Sequence, residues 1–398
     1  MKLYKEIPYL LHGLWSTGFN IVSKVFPSFF AGVASASQIS IIYSLYASAK
    51  FLVMPCGWIS DTLGKGKTLF YVFLSLPIVA LMFTISDSIL FFTLMYFIVG
   101  VLSNFYYSSI DSIVTILYKE KTKALFRLEG LYQIGAFVGP IIGGALVLKN
   151  GGLHMAFYVW AILAFIGFIL SYFLKNENAV QKQDKKRPNF TKLLGELGSN
   201  KWNFLFYLTI GAFLTGFFES VISLAVPLYL TSINFNIANV GIIIGFGSIL
   251  SVVGLLGLGK IMDRMGHKNS LIITSFFVAI ASIFFILTKN TILLIILFAL
   301  FTLGRAGGLN ITKAFISTNI TEELRATGMS ISDTFQYLAR VIGPLIAGLL
   351  IDFNGIVSPF MMCFVLALIA AIVMILKDNI FRIFNLPNSI QSSFVNKI

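Results

Sequence analysis

The sequence predicts an all-α integral membrane protein with twelve transmembrane helices in two pseudo-symmetric six-helix bundles. Three observations lead there. Hydrophobic residues make up 57% and charged residues only 11% of the 398 positions, with a mean hydropathy of +0.89, whereas soluble domains carry roughly 25% charged residues. Apolar runs that reach the ~20 residues needed to cross a bilayer follow one another along the chain. A loop sequence, GWISDTLGKGK at Gly57–Lys67, returns as GKIMDRMGHK at Gly259–Lys268. The offset is 259 − 57 = 202 for the glycines and 263 − 61 = 202 for the aspartates. A second pair, GPIIGG at Gly139 and GPLIAG at Gly343, lies 343 − 139 = 204 apart. Two unrelated landmarks at nearly one offset indicate a duplicated unit.

The first run, Ile7–Phe30, follows Lys2 and Lys5 and precedes Ala34-Ser35-Ala36. It exceeds the ~7–15-residue apolar core of a cleaved signal peptide, so it reads as a retained first helix. Five more runs complete a first half: Gln38–Ile59, Thr68–Ser86, Ile89–Leu117, Phe126–Leu148 and His154–Leu174. Hydropathy then collapses into the basic stretch KNENAVQKQDKKRPNFTKLLGELGSNK. The second half offers Phe204–Leu230, Ile237–Met262, Ser270–Thr288, Thr291–Phe315, Thr327–Ile351 and Val357–Leu376. The expected organisation is therefore a bundle at 1–174, a linker at 175–202, a second bundle at 203–376 and a tail at 377–398. Ile380, Phe381, Ile383 and Phe384 around Arg382 suit either a helix on the membrane surface or a frayed end.

The formal net charge is +13, but the basic residues sit in loops between apolar runs, so topology and not nucleic acid explains them. With the N-terminus in the cytoplasm, Lys65, Lys67, Lys119, Lys121, Lys123, Arg127, the linker, Arg264, Lys268, Arg325, Lys377 and Arg382 fall inside. Only Lys24, Lys149 and Lys289 fall outside. The asymmetry predicts both termini cytoplasmic; the expected location is a plasma (inner) membrane. Cys56 and Cys363 lie inside apolar segments, where a structural disulfide is not expected.

The two loops, Gly57-x-x-x-Asp61-x-x-Gly64-Lys65-x-Lys67 and Gly259-x-x-x-Asp263-Arg264-x-Gly266-His267-Lys268, resemble the signature between the second and third helices of each half in the major facilitator superfamily. Gly139-Pro140 and Gly343-Pro344 resemble that family's fifth-helix motif and its eleventh-helix counterpart. The resemblance covers essentially the whole chain and implies a secondary transporter. Thr62 stands where the family usually has a basic residue, and Tyr96 where many members carry an arginine. The resemblance further implies a latch, in which Asp61 sits near the start of the eleventh helix around Thr327 and Asp263 near the start of the fifth around Phe126. A helix N-terminus favours such a charge by about 0.3–2 kcal/mol. Gly57, Lys65, Gly259 and Arg264 complete the latch residues. If they have no such role, the basic residues remain as topology determinants. Gly139, Gly143 and Gly343 permit close helix approach, while Pro140 and Pro344 loosen the local hydrogen-bond ladder.

Charged residues inside spanning segments cost at least ~2.5–3.5 kcal/mol each at a helix centre, so each needs a partner, a wet cavity or a function. Lys50 lies deep in the second helix, Arg305 in the tenth and Arg340 in the eleventh. Their counterparts at the repeat offset are Val252, Val101 and Ala136, so the fold itself does not demand them. Polar stripes at helical spacing place Asn20 with His12, Ser16 and Ser23, Tyr46 with Tyr43 and Lys50, and Tyr107 with Asn104, Ser108 and Asp111. Gln336 falls with Asp333, Tyr337 and Arg340. Lys50, Arg305, Arg340, Tyr46, Asn20, Tyr107 and Gln336 are the candidate substrate contacts. Glu219, Asp111 and Asp333 are the candidate proton carriers, with Glu219 equally suited to pairing with Arg305 or Arg340. The stretch YSLYASAKFLVMPCGWISD also resembles the second helix of organophosphate:phosphate antiporters, although no arginine on the first helix matches theirs.

Three deep cations against one deep anion point to a small anionic solute moved by alternating access, coupled to protons and carried by a monomer in the lipid bilayer. The alternative is a proton-coupled exporter of lipophilic cations centred on Glu219 and Asp111. A lipid-modifying membrane enzyme would need clustered acids, which are not apparent, and a non-transporting sensor would share the fold. No phosphate loop, HExxH or Cys/His spacing occurs, so no metal or cofactor is expected.

Overall fold

In the computed structural model, residues 2–118, 120–149, 152–175 and 201–384 are described. The linker expected at 175–202 falls almost wholly outside them, as do residues 385–398 of the tail. Among the described residues every regular element is helical. Among them eleven helices are long and apolar enough to span a membrane, and a first helix, α1 (Lys2–Ser23), packs with these as a twelfth.

The expected first run divides: α1 ends at Ser23 and a short helix, α2 (Phe26–Phe30), begins with a proline in its first turn. The second spanning helix bends. It runs as α3 (Ala36–Ser48), tightens into a 3₁₀ turn at Ala49–Leu52 and continues as α4 (Val53–Leu63). Pro55 cannot donate to the Phe51 carbonyl and crowds the preceding turn, which accounts for the tightening. There follow α5 (Lys65–Met82), α6 (Ile89–Leu117), α7 (Lys121–Lys149) and α8 (Leu153–Tyr172).

In the second half α9 (Lys201–Phe206) opens into a π-helical stretch, Tyr207–Leu214, and resumes as α10 (Thr215–Ser232). Thr312 Oγ1 donates to the Tyr207 carbonyl at 3.2 Å, giving a partner to a carbonyl at the wider turn. α11 (Ile237–Phe285) contains two of the expected runs and breaks at Gly266. Then come α12 (Thr291–Asn319), α13 (Glu322–Asn354) and α14 (Ser358–Phe384). The tail boundary expected at 377 lies inside α14, because no glycine or proline interrupts the sequence from Leu376 to Phe384.

The duplicated loops turn alike. Gly64 (φ 91°) and Gly266 (φ 77°) both occupy the left-handed region, which lets the chain reverse between adjacent helices at no steric cost. The Gly-Pro motifs also act alike. A side chain at Gly139 or Gly143 would strike Asn20 and Ile21 of α1, and one at Gly343 would strike Ser220 of α10. Each glycine therefore sets how closely α7 packs on α1 and α13 on α10. The outer surface is apolar: Leu90, Trp58 and Phe353 are 80%, 70% and 82% exposed, as suits contact with lipid.

The two halves meet away from the Gly57 and Gly259 loops. α7 packs on the first part of α11, where the backbone of Pro140 and Gly144 abuts Gly241 and Ile237. α3 packs on α13, with Gly348 against Ala36 and Ser40. Ser28 Oγ donates to the Pro227 carbonyl at 3.0 Å. Asp352 at the end of α13 accepts from the backbone N–H groups of Ala36 (2.9 Å) and Ser37 (3.0 Å), capping α3 from the other half. These contacts hold together the face opposite the repeated loops.

Asp352→Ala removes a carboxylate from a helix N-terminus, an interaction of about 0.3–2 kcal/mol. In a background lacking Cys56 and Cys363, a reporter Ser28→Cys is expected to be alkylated by a membrane-impermeant maleimide about two- to thirtyfold faster when Asp352→Ala is added. An unchanged rate would show that the cap does not hold this face shut.

Candidate functional site

Between the halves lies a cavity with two lobes. The larger, about 520 Å³, is lined by Asn20, Lys24, Tyr46, Lys50, Tyr107, Tyr132, Lys313 and Arg340, among others. The smaller, about 270 Å³, adds Arg305, Gln133 and Thr302. Asn20, Lys24, Glu129, Tyr132, Glu219, Ser223 and Arg340 line both, so the lobes join at the charged cluster. The combined size suits a small organic solute.

Glu219 is the hub of that cluster. Its Oε2 lies 2.5 Å from Arg340 Nη2 and 2.8 Å from Arg305 Nη1. The three side chains come from α10, α12 and α13, and each is between 24% and 29% exposed. One carboxylate thus ties three helices of the second half together and leaves one positive charge over. Across the cavity, Lys50 sits in the 3₁₀ turn, donates to Ser103 Oγ at 2.7 Å and lies 5.1 Å from the centre of the Tyr107 ring. Asn104 Nδ2 donates to the Ala49 carbonyl at 2.6 Å, which anchors the turn to α6.

Of the expected substrate contacts, Lys50, Tyr46, Asn20, Tyr107 and Arg340 line the larger lobe and Arg305 the smaller. Gln336 does not line either lobe; it is 5% exposed and packs against Gly216 of α10. At ~100° per residue it stands about 60° to the side of Asp333 and about 40° from Arg340, which turns it toward α10. Lys24, expected only as a cation of the outer face, lines both lobes. Spacing of four from His12, Ser16 and Asn20 carries the polar stripe of α1 to it, a signal present in the sequence. Glu129, Tyr132 and Lys313 were also missed. Lys313 shares a face with Arg305, eight residues earlier, and lies 3.5 Å from Asp333. Asp111 has no hydrogen bond or ion pair among the described residues.

In the first loop motif, Asp61 lies 2.6 Å from Lys65. Lys65 is only 6% exposed and donates to Ser60 Oγ at 3.2 Å; Ser60 in turn bonds Ser109 of α6 at 2.8 Å. Lys65 is thus a buried part of the turn and not a loop cation in solvent. In the second motif the surroundings of Gly259 and of the Asp263 side chain are not described, and Arg264 is exposed.

Removing one member of a partly buried ion pair leaves its partner uncompensated, whereas removing both relieves that penalty. Glu219→Gln and Arg340→Gln should each lower the melting temperature of the purified protein. The double variant should lose less than the sum, with a coupling of about 1–3 kcal/mol. Additive losses would mean that the pair is not coupled in the folded protein.

Comparison with known proteins adds to this geometry. A family model described as Major Facilitator Superfamily matches residues 9–312 and 284–380. Multidrug resistance protein MdtG of Salmonella typhi is 26% identical over 355 residues, covering 84% of this chain and 85% of the relative. MdtG of Klebsiella pneumoniae (strain 342) is 26% identical over 354 residues, covering 84% of each. The crystal structure of nucleoside transporter NupG aligns with a TM-score of 0.70 at 16% identity, over 94% of this chain and 97% of that one. A bacterial homologue of the human lysosomal transporter Spinster, inward-facing and unoccupied, aligns with a TM-score of 0.68 at 14% identity, over 94% of each. These likenesses establish the fold. The chain belongs to the Major Facilitator Superfamily, as a multi-pass membrane protein and secondary transporter, not an enzyme.

Proposed function

We propose that the protein moves a small organic anion through the central cavity by alternating access, with protons as the coupling ion. The observation that carries this reading is the charge of the cavity wall. Lys24, Lys50, Lys313, Arg305 and Arg340 line it against Glu129 and Glu219. In a low-dielectric site such an excess favours a negative ligand and disfavours a positive one. Lys24 and Lys50 belong to the first half and the other cations to the second, so a bound anion draws the halves together.

In this reading the bodies that rock are residues 1–174 and 203–376, joined by the 175–202 linker and followed by the 377–398 tail. The face with the Gly57 and Gly259 loops is cytoplasmic, as the loop charges argue, and the protein works as a monomer in the plasma (inner) membrane with both termini inside. The described contacts between the halves cluster at the other face, which supports a structure open toward the cytoplasm. When that side closes, Asp61 and Asp263 meet the N-termini of α13 and α7, with Gly57, Lys65, Gly259 and Arg264 shaping the loops, and Asp352 lets go of α3. Pro140 and Pro344 bend the helices at the seams.

Proton coupling falls to Glu219 in the cavity wall and to Asp111 and Asp333, which line neither lobe. Glu219 exchanges its arginines only when another anion takes its place, which links its release to substrate. Asp111, without an ion pair among the described residues, and Asp333 beside Lys313 are the further carriers.

The curated relatives named for multidrug resistance favour a second reading, export of lipophilic cations. A thermal-shift screen of organic anions and lipophilic cations, at two pH values, separates the two. A ligand at ~100 times its dissociation constant stabilises by about 2.7 kcal/mol. Stabilisation by an anion, reduced in Lys50→Ala, is the expected result. Stabilisation by cations that persists in Lys50→Ala and disappears in Glu219→Gln would reverse the assignment.

A further inference from the structure

The larger lobe carries more than charge. Its wall from the first half is built of aromatic rings: Phe19, Tyr46, Tyr96, Tyr107 and Tyr132 all line it. The rings are already arranged as a packed set. Phe19 stacks on Tyr46 with centroids 5.4 Å apart, and Tyr96 stands edge-on to Tyr46 at 6.1 Å. Rings of this kind hold a planar π-system through stacked and edge-on contacts that a saturated ring of equal size does not make.

Tyrosine faces also attract cations, which would favour an aromatic cation. Here, however, Lys50 already lies over the Tyr107 ring, and Lys24, Lys50, Lys313 and Arg340 line the same lobe. The rings therefore serve an anion.

We propose that the substrate is a planar aromatic organic anion, its ring held among Tyr46, Tyr107 and Tyr132 and its charged group at Arg340. The proposal rests on the anionic reading above and narrows it.

Three ligands on one skeleton test it against full-length purified protein, with dissociation constants from calorimetry: 2-naphthoate, decahydro-2-naphthoate and 2-naphthylmethylammonium. The expected order places 2-naphthoate about tenfold tighter than its saturated analogue, with the ammonium compound weakest. Tyr132→Leu keeps an apolar side chain but removes the ring and should reduce that ratio to about two- or threefold. Tyr46→Leu serves as a second variant should the first fail to fold. Equal binding of the two acids would overturn the aromatic proposal while leaving the anionic reading intact. Tightest binding of the ammonium compound would overturn both. No binding of any of the three at millimolar concentration, or a preference for 2-naphthoate unaltered in both variants, would overturn the aromatic proposal alone.

Discussion

The arrangement depends on one ionic knot, the Glu219 carboxylate held between Arg340 and Arg305. Three charges in an apolar bundle are tolerable only because they neutralise one another in part and line a cavity. That same knot fixes α10, α12 and α13 relative to each other and leaves positive charge facing the opposite wall. Each of its features recurs in the functional reading. In the proposed reading the excess charge selects the ligand and the shared carboxylate is displaced by it, and two of the three helices, α10 and α13, meet the first half.

Around this knot the duplicated sequence supplies the moving parts. Gly139 and Gly143 let α7 seat on α1, and Gly343 lets α13 seat on α10. The same two helices then reach across to the other half, α7 to α11 and α13 to α3. Close seams at small residues allow one body to turn against the other. The Asp352 cap on α3 is the directional element at the closed face. It uses the chemistry that the loop aspartates would use at the other face, a carboxylate on a helix N-terminus.

The sequence made the fold legible because duplication and hydropathy are long-range signals, carried by many residues. The knot was legible for the opposite reason: Arg305, Arg340, Lys50 and Glu219 are rare events in apolar helices. Lys24 and Lys313 were hidden because a lysine near a helix end reads as a topology signal, and only helical spacing distinguishes a cavity residue there. Gln336 shows the limit of that spacing, since a stripe about 100° wide can straddle two neighbours. The π-helical stretch at Tyr207–Leu214 has no side-chain signature in sequence. The 3₁₀ turn under Lys50 had one, in Pro55. Tyr132 and the aromatic wall were masked by the abundance of aromatic residues everywhere, 15% of the chain, so that composition gave no reason to single out the few that face the cavity.

The most direct test of the central claim is to titrate wild type and Glu219→Gln with whichever organic anion stabilises the wild type most. If Glu219 occupies the two arginines in place of a substrate anion, its neutral replacement should bind the anion more tightly, by about tenfold for ~1.4 kcal/mol of relieved competition. Equal or weaker binding by Glu219→Gln would contradict the account, because the arginines would then not be the seat of the ligand's charge.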